Sequence, residues 1–326
     1  MTNIPQHSIP DAGISTRPLG TTGLRITPLT IGGAPLAPMP GTFRDVPEET
    51  GVATALAALS GPVRALDTSA AYGAGESERR IGTAIRRLGG LPDDFVLSTK
   101  IVRDLNSGVF DGAQARRSIT ESLERLGLDK VPLLYLHDPE KNDFDQIMAP
   151  GGPVEVLREL RERGVARSIG VAGGDLATIE RFVRTGYFDV LLTHNRWTLV
   201  NRSAGPLIDL AVSMNLGVVN AAVFGGQILA TGVGGSRRYA YREASPELLA
   251  AIGAIEEACR DHGVPLAAAA VRFSTRDPRI ASTVIGTSRP ERIEETLALD
   301  ATAVPDALWT DVDAIAARVD PTHLPA

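Results

Sequence analysis

The chain has 326 residues, enough for one large α/β domain or two ordinary ones and ample for a full hydrophobic core. Its formal net charge of −6 comes without a basic block or an acidic tail, so nothing directs it to nucleic acid or to an anionic membrane surface. A single cysteine, Cys259, excludes an intramolecular disulfide, and its place in the apolar stripe Ile252, Ile255, Cys259 marks it as an inert packing residue.

Residues 1–17 read as a disordered leader. Met1 to Asp11 is polar and proline-interrupted, without the apolar core of a signal peptide, and no run approaches the length of a membrane span; the expected compartment is the cytoplasm. Pro18 to Gly33, PLGTTGLRITPLTIGG, predicts a hairpin turning at Thr22–Gly23 and a first buried strand at Leu29 to Gly32. A helix over Pro47 to Leu59 follows, and then strands and helices alternate. The strand runs are Val63 to Asp67, Phe95 to Lys100, Val131 to His137, Ala166 to Val171, Val190 to Thr193, Gly217 to Val223 and Ile280 to Ile285. Between them lie helical patterns at Glu76 to Leu88, Gly112 to Leu126, Pro153 to Arg163, Leu176 to Thr185, Ser203 to Met214 and Pro246 to His262. Several strands are continuous apolar runs, as expected where helices cover both faces of a parallel sheet. Counting the first, there are eight, which predicts an α/β fold of the (β/α)8 TIM-barrel type with an N-terminal β-hairpin, formed by residues 18–326 as a single domain. Phe224 to Ser245 and the tail from Pro305 are then insertions on the barrel.

Three consecutive strands finish on an ionisable residue: Asp67, Lys100 and His137. Each alone has a plainer explanation, since a lysine after a strand snorkels to water and a histidine near an apolar run is often a hydrogen-bonded core residue. Together they would point into one barrel mouth, where buried charge is disfavoured unless paired. Tyr72, in the loop after Asp67, completes the set. A phenol titrates near pH 10, too high for ready proton exchange at neutrality. A neighbouring ammonium should lower that value, and a carboxylate should fix the ammonium. This assigns Tyr72 as acid/base, Lys100 as its activator, Asp67 as the lysine's partner and His137 as the group that orients the reacting oxygen. The set suits hydride transfer to or from a carbonyl with a nicotinamide across the mouth, and it contains neither a covalent nucleophile nor a metal-ligand cluster.

The sequence resembles the aldo-keto reductases. The likeness runs from the PLGTTGLRIT hairpin through DTSAAYGAGESERRIG, the STK after the third strand and the LHD after the fourth, to VIGTSRPERIEET near the C-terminus. It implies the family's barrel and its tetrad of aspartate, tyrosine, lysine and histidine on Asp67, Tyr72, Lys100 and His137. It also implies NAD or NADP bound without a Rossmann domain, with Gly286, Thr287, Ser288, Arg289, Arg292 and Glu295 at the adenosine end. Gly286 stands where members strict for a 2′-phosphate often carry a lysine, so NAD is favoured and NADP tolerated; Thr296 replaces a frequent asparagine.

At the nicotinamide end, Ala172 and Gly173 replace the usual serine and asparagine, and His194 replaces a common glutamine. Either His194 or Asn195 is left to meet the carboxamide, and Asn220 stands where many members stack a tyrosine on the ring. These departures resemble the subgroup of sugar and pyridoxal dehydrogenases, with Trp197 and Phe224 either lining the substrate side or packing. The implied reaction is oxidation of an aldose of the L-fucose or D-threo type at C1 to the lactone. The alternatives are a general aldehyde, ketone or pyridoxal oxidoreductase of the same fold and, in a different class, a nicotinamide-nucleotide-binding sensor subunit. The expected partner is a small carbonyl or sugar substrate, with no nucleic acid, membrane or metal.

Overall fold

A computed structural model of the protein describes residues 15–39 and 45–324. Eight parallel strands close into a barrel in which each pairs with the next in sequence and the eighth returns to the first. In order they are Leu29–Gly32, Ala65–Asp67, Val96–Ile101, Val131–His137, Ala166–Gly173, Val190–His194, Gly217–Ala221 and Ser282–Gly286. All eight predicted runs are found, with ends shifted by hydrogen bonding rather than by composition. The second, expected from Val63, begins at Ala65, because that is where its ladder with Val96 starts.

Pairing fixes which side chains enter the barrel. The registers Ala65↔Val96, Asp67↔Ser98, Leu133↔Ser168 and Tyr135↔Gly170 put these residues on the inner face, and the period of two carries the same face to Lys100 and His137. The helix-facing residues, among them Leu66, Leu97, Leu134, Leu136, Val171, Leu191 and Val218, form the main core with the helices.

Arg17–Pro18 pairs antiparallel with Arg25–Ile26, and the hairpin's Leu19, Leu24 and Ile26 pack on Ala65, Val96, Leu133, Val190 and Val219, sealing the end where the strands begin. The predicted leader lies outside the described residues up to residue 14, but its last residue is ordered into this seal. Arg17 donates to the carbonyls of Ile280 and Thr275 at 2.8 and 2.7 Å.

Helices at Glu48–Ser60, Glu76–Leu88, Gly112–Leu126, Pro153–Glu162, Leu176–Arg184, Gly205–Ser213 and Pro246–Asp261 fall where the sequence places them. Two more had no amphipathic signal strong enough to read. Leu266–Thr275 is alanine-rich and buried around most of its circumference, which removes the polar face that marks a helix in sequence. Asp306–Ala316, within the tail expected as an insertion, buries Leu308, Trp309 and Val312 and packs against Pro246–Asp261. No helix among the described residues is long and apolar enough to cross a membrane. Cys259 is 1% exposed, and burial pushes its thiol up to about 11, consistent with an inert packing residue.

Helix Glu76–Leu88 approaches Gly112–Leu126 so closely that a Cβ at Gly82 would lie 2.1 Å from the Arg125 carbonyl oxygen. Gly82→Ala is therefore expected to force these helices apart and to lower the denaturant midpoint by the equivalent of about 1–3 kcal/mol. An unchanged midpoint would show that the contact relaxes freely.

Candidate active site

The inner-face residues of the second and third strands converge at the end opposite the hairpin. Lys100 Nζ donates to Asp67 Oδ2 at 2.6 Å, to the Thr68 carbonyl at 2.7 Å and to Tyr72 Oη at 3.2 Å. All three ammonium donors are thereby placed. Ser98 Oγ donates to the second Asp67 oxygen at 2.7 Å, so the carboxylate is held from both sides. The ion pair is buried, with side-chain exposures of 1% for Lys100 and 5% for Asp67.

Tyr72 reaches this lysine because its loop turns back sharply. Gly73, Ala74 and Gly75 all take left-handed backbone angles, at φ 59°, 51° and 88°. At Gly73 the close approach also excludes a side chain, since a Cβ would lie 2.7 Å from that of Ala37. The helix that follows is keyed to the lysine's strand through a buried acid. Glu78 accepts from Thr99 Oγ1 at 2.5 Å and from Arg125 Nε at 2.7 Å. Ser77 Oγ adds a bond to the Gly33 carbonyl at 2.8 Å, tying the same turn to the end of the first strand.

The charges do not act on the phenol as the sequence suggests. Burial pushes Tyr72 up, Lys100 pulls it back, and Asp67 adds to the rise, leaving it at about 12. The expectation of a lowered phenol is corrected: the carboxylate 2.6 Å away already compensates the ammonium, and what remains does not offset desolvation. Lys100 is affected in the opposite sense. Burial lowers its pKa, but Asp67 and Tyr72 outweigh that and keep it a cation. At neutral pH the phenol is protonated and accepts from the ammonium, so its own proton is free to face the mouth.

His137 lies edge-on to Tyr72, with ring centroids 6.0 Å apart. Burial lowers its pKa to about 3, against a smaller opposing effect of Asp138, so the imidazole is neutral. Its Nδ1 is 3.0 Å from Ser69 Oγ, which already accepts from the Ala71 amide at 3.1 Å. The serine proton can therefore go to Nδ1, leaving the ring proton on Nε2, toward the mouth. The set can thus offer a reacting oxygen a phenol O–H and an imidazole N–H while holding a cation behind the phenol.

Sequence reasoning missed several participants. Ser98 and Ser69 sit inside the quoted motifs, and the period of two would have placed Ser98 beside Asp67. Asp138 and Glu140 follow His137 directly. Among the described residues Asp138, Glu140 and His194 could surround a metal ion, with ligand atoms within 4.8 Å of one another. Lys141 lies 2.5 Å from Asp138, however, and its ammonium opposes a cation there.

The residues expected around a nicotinamide divide. His194 faces inward at the end of the sixth strand, and its side chain is 37% exposed. Asn195, left-handed at φ 60°, is buried and donates from Nδ2 to His194 Nδ1 at 3.2 Å, which leaves the His194 ring proton on Nε2. Asn195 thus orients the histidine. Asn220 is corrected outright: its strand position faces the helices, where Nδ2 donates to the Trp197 carbonyl at 2.8 Å and to Ser274 Oγ at 2.9 Å. Ala221, the inward neighbour, occupies the mouth position instead. Trp197 is buried against Phe273 at 5.4 Å between ring centroids, and Phe224 packs on the core, so the packing reading of both holds.

At the eighth strand Gly286, Arg289, Arg292 and Glu295 are exposed and Ser288 is half-buried, around the start of helix Glu291–Ala301. Thr287 is buried, its hydroxyl bonded to the Ile285 carbonyl at 3.1 Å, and Thr296 turns inward to the Arg292 carbonyl at 2.7 Å. An open glycine, a helix start and two guanidiniums paired with Glu291 and Glu295 fit the anionic end of a dinucleotide.

A closed parallel barrel with a phenol, a buried ammonium–carboxylate pair and a neutral imidazole at its mouth is an oxidoreductase acting on alcohol and carbonyl groups. A model of the aldo/keto reductase family matches residues 28–317, and the chain belongs to that family, whose members use NAD(P)H. It is 33% identical over 335 residues to a D-threo-aldose 1-dehydrogenase of a Pseudomonas species, covering 94% of this chain and 99% of that one. It is 29% identical over 331 residues to a pyridoxal 4-dehydrogenase of Microbacterium luteolum, covering 90% of this chain and 95% of that one. An aldo-keto reductase from Bacillus halodurans, solved in its holo form, shares the fold at a TM-score of 0.75 and 20% identity, covering 96% of this chain and 100% of that one.

Proposed function

We propose that the protein is an NAD(P)⁺-dependent dehydrogenase that oxidises the C1 hydroxyl of an aldose, of the L-fucose or D-threo type, to the lactone. Asp67, Tyr72, Lys100 and His137 carry the reaction. The observation behind this reading is the three-way placement of Lys100 Nζ on Asp67, the Thr68 carbonyl and Tyr72 Oη, which orients one phenol oxygen at the mouth. In the oxidative direction Tyr72, as phenolate, takes the hydroxyl proton while His137 Nε2–H holds the same oxygen, and the C1 hydrogen departs as hydride. A bound nicotinamide supplies the hydride acceptor. In reverse, the protonated phenol gives its proton to the carbonyl oxygen. A single barrel domain over 18–326 and NAD preference belong to the same reading, the latter because the exposed Gly286 brings no cation of its own to a 2′-phosphate.

The relative of Pseudomonas supports the sugar, and the polar mouth suits it better than a flat aromatic substrate. Mixing the protein with NAD⁺ or NADP⁺ and a panel of free aldoses is expected to raise the absorbance of reduced nicotinamide with at least one sugar. Turnover with NAD⁺ should exceed that with NADP⁺, and Arg289→Ala with Arg292→Ala should weaken NADP⁺ binding more than NAD⁺ binding. Silence across the sugars, with reduction of simple aldehydes or oxidation of pyridoxal, would replace the sugar reading with that of a general carbonyl or pyridoxal oxidoreductase.

A further inference from the structure

One wall of the mouth carries a polar group for which the tetrad has no use. Asp138 follows His137 immediately and takes a left-handed conformation at φ 45°, which turns its side chain off the strand direction. Its amide donates to the Ala172 carbonyl at 2.8 Å and its carbonyl accepts from the Lys141 amide at 3.2 Å, so the turn is held from both ends. The Lys141 ammonium occupies one carboxylate oxygen, Oδ2, at 2.5 Å. The other, Oδ1, has no hydrogen-bond donor within 3.5 Å among the described residues. It faces His137 Nε2 at 3.6 Å and His194 Nε2 at 3.9 Å, both beyond direct hydrogen-bond reach.

Both imidazoles can carry their ring protons on these nitrogens, with Ser69 Oγ donating to Nδ1 of His137 and Asn195 Nδ2 to Nδ1 of His194. A carboxylate oxygen on a half-buried side chain, set 3.6 and 3.9 Å from two imidazole nitrogens, matches a place for hydroxyl groups that accept from a ring and donate to the acid. If the reacting oxygen takes His137 Nε2–H, a hydroxyl on the adjacent carbon lies one carbon–carbon bond further on, toward Oδ1.

We propose that Asp138 Oδ1, flanked by His137 and His194, binds the substrate hydroxyl next to the reacting carbon, so that the enzyme selects 2-hydroxy aldoses over 2-deoxy sugars and simple aldehydes. This rests on the aldose reading above. Asp138 is a specificity residue here: it touches substrate without exchanging a proton with it. Its lowered pKa, in which burial is outweighed by His137, His194 and Lys141, keeps it an acceptor through the working pH range.

The test compares an aldose with its 2-deoxy counterpart in the wild type, in Asp138→Ala and in Asp138→Asn, with cofactor affinity followed separately by quenching of protein fluorescence. The wild type should prefer the 2-hydroxy sugar in kcat/KM by about 10- to 100-fold, the range of one hydrogen bond to a charged group. Asp138→Ala should bring that ratio close to unity by losing activity on the 2-hydroxy sugar alone, with NAD⁺ affinity unchanged. Asp138→Asn should recover part of the ratio, since an amide oxygen accepts the same bond without the charge. A structural role would lower both sugars together and leave the ratio intact, and that result overturns the proposal. Equal turnover of both sugars by the wild type overturns the subsite and leaves the aldose reading standing. Turnover of neither, with simple aldehydes reduced, overturns the aldose reading and the subsite with it.

Discussion

Tyr72→Phe is expected to lower kcat by about 10²- to 10⁴-fold, the usual contribution of a positioned general acid or base, while leaving cofactor affinity within a factor of two or so of wild type. The ring survives and keeps its edge-to-face contact with His137, so packing changes little. What disappears is the oxygen held 3.2 Å from Lys100 Nζ. Stopped-flow or steady-state assays in both directions, with a parallel fluorescence titration of the nicotinamide, separate the two effects. A variant that retained its rate would remove the phenol from the mechanism.

The same group sets a pH signature in the wild type. With the phenol at about 12, oxidation requires a form that is scarce at neutrality and becomes more abundant as pH rises. Oxidation should therefore accelerate from about pH 7 to 10, while reduction, which uses the protonated phenol, stays nearly flat. His137, lowered to about 3, should contribute no limb between these values, and a limb near that of an ordinary histidine would contradict its neutral assignment.

Lys100→Met is expected to abolish activity and also to destabilise the fold, by about 3–5 kcal/mol, because the Asp67 carboxylate would remain buried with its cation removed. Denaturant unfolding measures the loss. The double variant Lys100→Met with Asp67→Leu removes both charges, and should recover most of the stability and none of the activity. Recovery of neither would mean that the pair's packing, rather than its charge balance, maintains the barrel interior. Full stability in the single variant would mean that the carboxylate takes up a proton at little cost.

The tetrad was legible because each member lies at a strand end or in the loop just past one, and a barrel sends every such end to the same mouth. Reading Asp67, Lys100 and His137 therefore required only the strand order. Asn220 was misread because resemblance assigns a position along the chain, whereas the face of a strand follows from its register; one step along, Ala221 looks inward and Asn220 looks at the helices. The alanine-rich helix Leu266–Thr275 went unread for a related reason, since burial on most sides leaves no periodic contrast between polar and apolar positions.

The amino-acid sequence by itself determined the eight-fold alternation, the barrel and the identity of the four groups at its mouth, because hydrophobic period and residue type are local properties. Only the tertiary structure decided the sign of the Tyr72 shift, the orientation of Asn220, and the placing of Asp138 Oδ1 between two imidazoles. These depend on desolvation and on distances between residues remote in the chain, and Coulomb and hydration energies change with separations of an ångström or so that no spacing along a sequence records.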